Sequence, residues 1–178
     1  CWESTQRNEI KPEGRCDMPE IGQKIELLKK IALQFEKAHI TWALGGSMML
    51  YFKGIVPVFQ DIDLMVADAD AQTAQSILCS MGQMQPQTPN PKFRSKAFME
   101  FVIDAVDVDV IAGFAIVSGD SVVDCSLQKE QIVERMPLGE ACIPLQSPAL
   151  WCRYYRLMDR TEKAQMIEQA LSDSGACT

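Results

Sequence analysis

The run Asp61-Ile62-Asp63-Leu64-Met65-Val66 places two carboxylates two positions apart in an apolar stretch. In a strand, residues two apart share one face, and the residues between them share the other. Asp61 and Asp63 would then project together while Ile62 and Leu64 face a core. Two like charges side by side are costly unless something cationic sits between them. Read as a strand, this run gives a sheet one apolar face and one face that suits a cation. Asp107 and Asp109 repeat the arrangement in residues 106–111. If the two strands are neighbours, three or four carboxylates converge. Such a donor set suits a hard divalent ion bound through oxygen, with Mg²⁺ the first choice.

Gly45-Gly46-Ser47 supplies a complementary feature upstream. Glycines let a turn bring backbone N–H groups close to a phosphate. A helix starting at Ser47 would aim its positive end at the same anion. Breakers at Gly54 and Pro57 then lead to Asp61. Phosphoryl transfer needs little more than a cradle, metal ions that neutralise the phosphates and a placed nucleophile. A single Gly-Gly-Ser turn is commonly structural, and a single Asp-x-Asp is commonly solvated or part of a calcium-like loop. The information lies in their order, each after or within an apolar strand, with a further acidic strand to follow.

The rest of the chain supports a small α/β (α+β) domain. Residues 1–18 are polar and aperiodic, and read as a loosely ordered arm. Residues 19–146 read as the core. Within it, Ile21, Ile25, Leu28, Ala32 and Phe35 recur at helical spacing, with Lys24, Lys29 and Lys30 largely off that face and a helix end near His39. Strands are expected at 40–44 and 61–66, a short helix at 48–52, and a helix at 68–81 ending at Gly82. A proline-containing loop follows at 85–91. Residues 97–103 and 106–111 form a hairpin turning at Asp104-Ala105, and residues 131–143 another strand pair. Ser147-Pro148 is a helix start, opening a carboxy-terminal annex over 147–172 with helices at 148–158 and 161–171.

Composition narrows the function classes. The 178 residues are 47% hydrophobic, enough for an ordinary core, and carry a net charge of −7. That balance lacks the positive field of an extensive nucleic-acid footprint, yet permits a local basic pocket for a nucleotide. No apolar run reaches the roughly 18–20 residues of a membrane span, so no membrane partner is expected. No basic-then-apolar amino terminus of the secretory kind is visible. Seven scattered cysteines with no CxxC pair, beside a single histidine, His39, read as free thiols of a reducing cytoplasm rather than a zinc site.

Taken in order, Gly45-Gly46-Ser47, Asp61-Ile62-Asp63 and the later acidic strand resemble the DNA polymerase beta-type nucleotidyltransferase superfamily. The likeness is greatest to its small bacterial group of minimal, antibiotic-modifying and abortive-infection toxin-like members, and runs from about Ile21 to Leu171. The resemblance implies a small mixed sheet flanked by helices. It also implies two Mg²⁺ ions and a nucleoside triphosphate substrate. By it, Gly45, Gly46 and Ser47 would contact the triphosphate, and Asp61 and Asp63 would hold the metals. Asp109, with Asp107 as alternate, would complete the triad and help activate the acceptor hydroxyl. Arg160 and Lys163, in a stretch similar to the group's basic helical segment, would reach the triphosphate. Relatives often carry Arg and Thr shortly before the first Asp, where this chain has Pro57-Val58-Phe59-Gln60. Toxin-like relatives often have Lys-Asp where it has Lys163-Ala164.

The expected activity is transfer of a nucleoside monophosphate to a hydroxyl of a small-molecule or protein acceptor, with release of pyrophosphate. The alternatives are a non-catalytic nucleotide-binding module and a toxin–antitoxin component on the same fold. Trp151, Tyr154 and Tyr155 are candidates for base stacking or, more simply, packing. Lys92, Arg94 and Lys96 form a basic cluster that could meet an anion or stay solvated.

Overall fold

The first helix begins where the apolar periodicity begins. In the computed structural model, which describes residues 20–175, α1 spans Ile21–Lys37. Its inward face carries Leu27, Leu28, Ile31, Ala32 and Phe35, and also Lys24, which the charge pattern had placed outside. Ile21 and Ile25 are only partly buried against the core. The helix ends where His39 enters the left-handed region at φ 56°, and the Ile40 N–H donates to the Phe35 carbonyl at 3.0 Å. Such a left-handed residue satisfies the last carbonyls and turns the chain. The proposed arm over residues 1–18 lies outside the described residues.

The chain then crosses the centre of the sheet. β1 (Trp42–Gly45) leads directly into α2 (Gly46–Phe52), so the expected break at Gly45-Gly46 is a strand-to-helix junction. β2 (Ile62–Val66) follows, then a single 3₁₀ turn at Asp68–Asp70 and α3 (Ala71–Met81). A two-residue strand, β3 (Gln83–Met84), precedes the proline-containing loop. β4 (Ala97–Ile103) and β5 (Val106–Ala112) form the expected hairpin. Asp104 at φ 51° and Ala105 at φ 63° make its two-residue turn, the conformation whose twist matches paired strands.

Two features depart from expectation. β6 (Ala115–Ser118) and β7 (Ser121–Asp124) form a separate hairpin in a stretch for which no strand was expected. The later strand pair is shifted toward the carboxy terminus, as β8 (Glu134–Leu138) and β9 (Ala141–Leu145), turning at Gly139. Pro137 and Pro144 obscured both strands. Proline suits edge positions, and β8 is an edge strand. The final helices are α4 (Pro148–Leu157) and α5 (Thr161–Gly175). Ser147 caps α4 by accepting from the Leu150 N–H at 3.2 Å.

Seven strands order as β3-β4-β5-β2-β1-β9-β8. The pairs β2–β5 and β1–β9 are parallel and the others antiparallel. One face, with Leu44, Leu64, Val108 and Val110, is buried. On it Phe35 of α1 meets Trp42 edge to face, and α1 contacts α3. The opposite face, with Gly45, Asp63 and Asp109, receives Trp151 of α4. The fold is thus the mixed sheet flanked by helices that the sequence implied. No helix among the described residues is long and apolar enough to cross a membrane. Cys79, Cys125, Cys142 and Cys152 are free thiols.

Ala105 carries a Cβ at a left-handed φ, a conformation glycine adopts without the steric penalty. Ala105→Gly should therefore stabilise the protein by about 0.5–1 kcal/mol. Urea unfolding monitored by tryptophan fluorescence measures this; a loss of stability would show that the turn is not strained.

Candidate active site

Strand register assembles the site. Gly45 on β1 pairs with Asp63 on β2, and Asp63 pairs with Asp109 on β5. Residues directly opposite on neighbouring strands project to the same face, so these three form one row across the middle of the sheet. The row continues to Glu100, which pairs with Asp109 from β4. Glu100 was not singled out from sequence, because its strand has no other acid and only the register brings it to this row.

Asp63 is the most constrained member. It is wholly buried, and among the described residues neither carboxylate oxygen has a hydrogen-bond donor. A buried carboxylate without donors is costly, and burial, reinforced by the Asp61 charge, pushes its pKa up to about 6. Gly46 stands directly against it, at φ +62°, and a Cβ there would collide with the Asp63 carboxylate. Here the need for glycine is double: a left-handed backbone and a missing side chain. Asp61 lies just ahead of β2 at a bend and is also buried. Asp109 is pushed up to about 7, by burial first and then by Asp63 and Asp61. Asp107 shares its strand face but is exposed, so the register puts Asp109, not Asp107, beside Asp63. Three acidic groups in mutual electrostatic reach could hold a cation. Among the described residues, no three potential ligands are already drawn to ligating distance around one point.

Positive groups come from the far end of the chain. The Lys163 ammonium of α5 donates to the Ser47 hydroxyl at 2.6 Å and lies 5.3 Å from the centre of the Tyr155 ring. Burial and the neighbouring Arg160 lower the Lys163 pKa, while Asp63 and Asp61 oppose that shift. Arg160 in turn is among the charges felt by Asp63. Ser47, Lys163, Arg160, Asp61, Asp63 and Gly46 are therefore one electrostatic neighbourhood, in which a polyanion and a cation could each find partners.

Gly45 has a separate, packing reason to lack a side chain. A Cβ there would enter the indole of Trp151. That ring is held by a 2.8 Å hydrogen bond from its N–H to the fully buried Gln146 Oε1. Trp151, Tyr154 and Tyr155 are all buried, packed on one another and, through Trp151 and Tyr154, on Phe114. They form core, and their ring faces are not presented to a base. Of the basic cluster, Lys92 pairs with Asp159 at 2.6 Å and Lys96 pairs with Asp68, whereas the guanidinium of the exposed Arg94 reaches backbone carbonyls.

No protein-family model matches the sequence, and no curated protein matches it. Solved structures do. One is a Thermotoga maritima protein provisionally described as a nucleotidyltransferase, with TM-score 0.66 and 18% identity over 90% of this chain and 99% of that one. The chain has the nucleotidyltransferase fold. A second neighbour is ANT(2″)-Ia in complex with adenylyl-2″-tobramycin, with TM-score 0.59, 13% identity, and coverage of 83% of this chain and 89% of that one. The solution structure of the same antibiotic-resistance factor matches with TM-score 0.60, 14% identity and coverage of 85% and 86%. At these identities the likeness is one of fold.

The raised carboxyl pKa values set a pH dependence. A carboxyl with a raised folded-state pKa contributes stability that is present below the unfolded value, near pH 4. That contribution is lost as pH rises through about 6 for Asp63 and about 7 for Asp109. In chelator-treated buffer, Asp63→Asn should thus be more stable than the parent by roughly 1–3 kcal/mol near pH 8, with the gain vanishing near pH 4. Chemical denaturation at both pH values checks this; a pH-independent difference would show that the Asp63 charge is not strained.

Proposed function

We propose that this protein is a Mg²⁺-dependent nucleotidyltransferase that moves a nucleoside monophosphate from a triphosphate to a hydroxyl of a small-molecule or protein acceptor. The observation that carries the reading is the row Gly45–Asp63–Asp109, with the oxygens of Asp63 buried and, among the described residues, without donors. Such a carboxylate fits a metal ligand, and the acidic oxygen donor set fits a hard divalent ion.

Asp61, Asp63 and Asp109 would hold two Mg²⁺ ions, which when bound neutralise the triphosphate and the charge that develops during transfer. Ser47, Lys163 and Arg160 bind the phosphates, and the bare surface of Gly46 lets them approach the carboxylate row. Gly45 serves the same turn by admitting Trp151 beneath it. The acceptor oxygen attacks the α-phosphorus and forms the new P–O bond. The bond to the β-phosphate oxygen breaks, pyrophosphate departs, and Asp109 takes the hydroxyl proton. The adenylyl-2″-tobramycin bound to one structural neighbour supports an adenylyl donor here too. The net charge of −7 favours a cationic acceptor over a nucleic acid. The scattered thiols agree with a cytoplasmic setting.

Addition of ATP together with Mg²⁺ should raise the melting temperature by several degrees, roughly the effect of ligand at a hundredfold excess over its Kd. Asp63→Asn should abolish the Mg²⁺-dependent part and lower pyrophosphate release at least about 100-fold. Thermal melts with each triphosphate, and a pyrophosphate assay across hydroxyl acceptors, measure both. Absence of stabilisation by any triphosphate with Mg²⁺, or full activity in the Asn variant, overturns the assignment.

A further inference from the structure

Lys24 is the one lysine of α1 that the structure buries, at 6% exposure. Its helix neighbours Leu27, Leu28 and Ile31 are core residues, and an ammonium among them needs compensation. Among the described residues its ammonium makes two contacts, and no carboxylate is in ion-pair range. Its ammonium donates to the Phe59 carbonyl at 3.1 Å and lies 5.3 Å from the centre of the Phe59 ring. Both contacts land on one residue, two positions before Asp61.

That residue is the pivot of the segment entering the site. Between α2 and β2 the chain has no regular structure over residues 56–60, and Val58 and Gln60 on either side of Phe59 are exposed. Phe59 alone turns inward, to 5% exposure, where its ring also packs on Tyr51 of α2 at 5.1 Å. Only Gln60 separates this anchor from Asp61. Asp61 stands at a bend between this segment and Ile62, the first residue of the β2 ladder, so the backbone leading into it is set from both sides, by β2 and by what holds Phe59. A carbonyl gripped by a buried ammonium is a strong hydrogen bond, and a cation over an aromatic face adds to it.

We propose that Lys24 is a positioning residue for the metal site, fixing through Phe59 the point at which Asp61 enters the carboxylate row. The inference rests on the proposed function above, since it assumes that Asp61 and Asp63 bind a divalent cation. It predicts a division of labour: losing the Lys24 head group loosens the cation while leaving the core packed, because methionine fills nearly the same volume.

Mn²⁺ binding, followed by electron paramagnetic resonance on the full chain, is the direct test, with hydrogen exchange of the amides of residues 58–62 as a second readout. Lys24→Met should weaken Mn²⁺ about tenfold or more, the range seen when a group supporting a metal ligand is removed. It should also speed exchange in residues 58–62, with a melting temperature at or above that of the parent. Lys24→Arg, which keeps a cationic donor, should recover most of the affinity. Should the methionine variant not fold, Lys24→Gln serves in its place, with the same expected weakening. Unchanged Mn²⁺ affinity and unchanged exchange in a folded variant would overturn the positioning role while leaving the metal site standing. If the parent binds no Mn²⁺ that Asp63→Asn removes, the metal reading itself fails, and this inference with it.

Discussion

A buried carboxylate at the centre of a sheet, without hydrogen-bond donors among the described residues, is the constraint around which this structure is arranged. Asp63 sits on β2, with β1 on one side and β5 on the other. Its charge is stranded in a low-dielectric position that an apolar residue would fill at less cost. The described acidic neighbours add to this cost rather than relieve it. Gly46 withholds a side chain, Asp109 and Asp61 add charge of the same sign, and the ammonium of Lys163 on α5 is turned to the Ser47 hydroxyl. Such local conflict between charge and burial is typical of sites built to bind or react.

Much of this was legible in the sequence because it depends on local periodicity. Alternation fixed the faces of β2 and β5, the glycine pair marked the junction of β1 with α2, and Ser147-Pro148 marked the start of α4. Periodicity alone did not separate Asp107 from Asp109; the family resemblance favoured Asp109. Both project to the same face, and only the parallel register of β5 against β2 leaves one buried beside Asp63 and the other in solvent. Glu100 and Lys24 were missed for the same reason. Each looks ordinary within its own element, a solitary acid on a strand and a lysine on an amphipathic helix, and acquires its meaning from a partner far along the chain. The β8–β9 pair was misplaced because prolines hide a strand from propensity arguments; Pro137 is tolerated on the edge strand β8, while Pro144 lies on β9, between β1 and β8.

The aromatic residues of α4 show how packing supports the site. Trp151 fills the space that Gly45 leaves open, and Gln146 fixes its indole from β9's side of the sheet. This ties the junction of β1 and α2 to the annex helices, so α4 acts as part of the core. Arg160 and Lys163 follow α4 closely in the chain, and the reach of Lys163 to Ser47 depends on where that helix is seated.

The two parallel pairings have a bearing on how the molecule comes into being. Leu44 must find Leu145, and the residues of β2 must find those of β5 across α3 and the β4 strand. Non-local pairings of this kind close large loops before any contact rewards them, and they slow folding. The hairpins β4–β5, β6–β7 and β8–β9 close over short segments, whereas β2 reaches β5 only across α3 and β4. That non-local pairing is also the one that sets Asp63 against Asp109. Until it closes the two acids are not neighbours, so their repulsion is met together with the hydrophobic gain of closing the core.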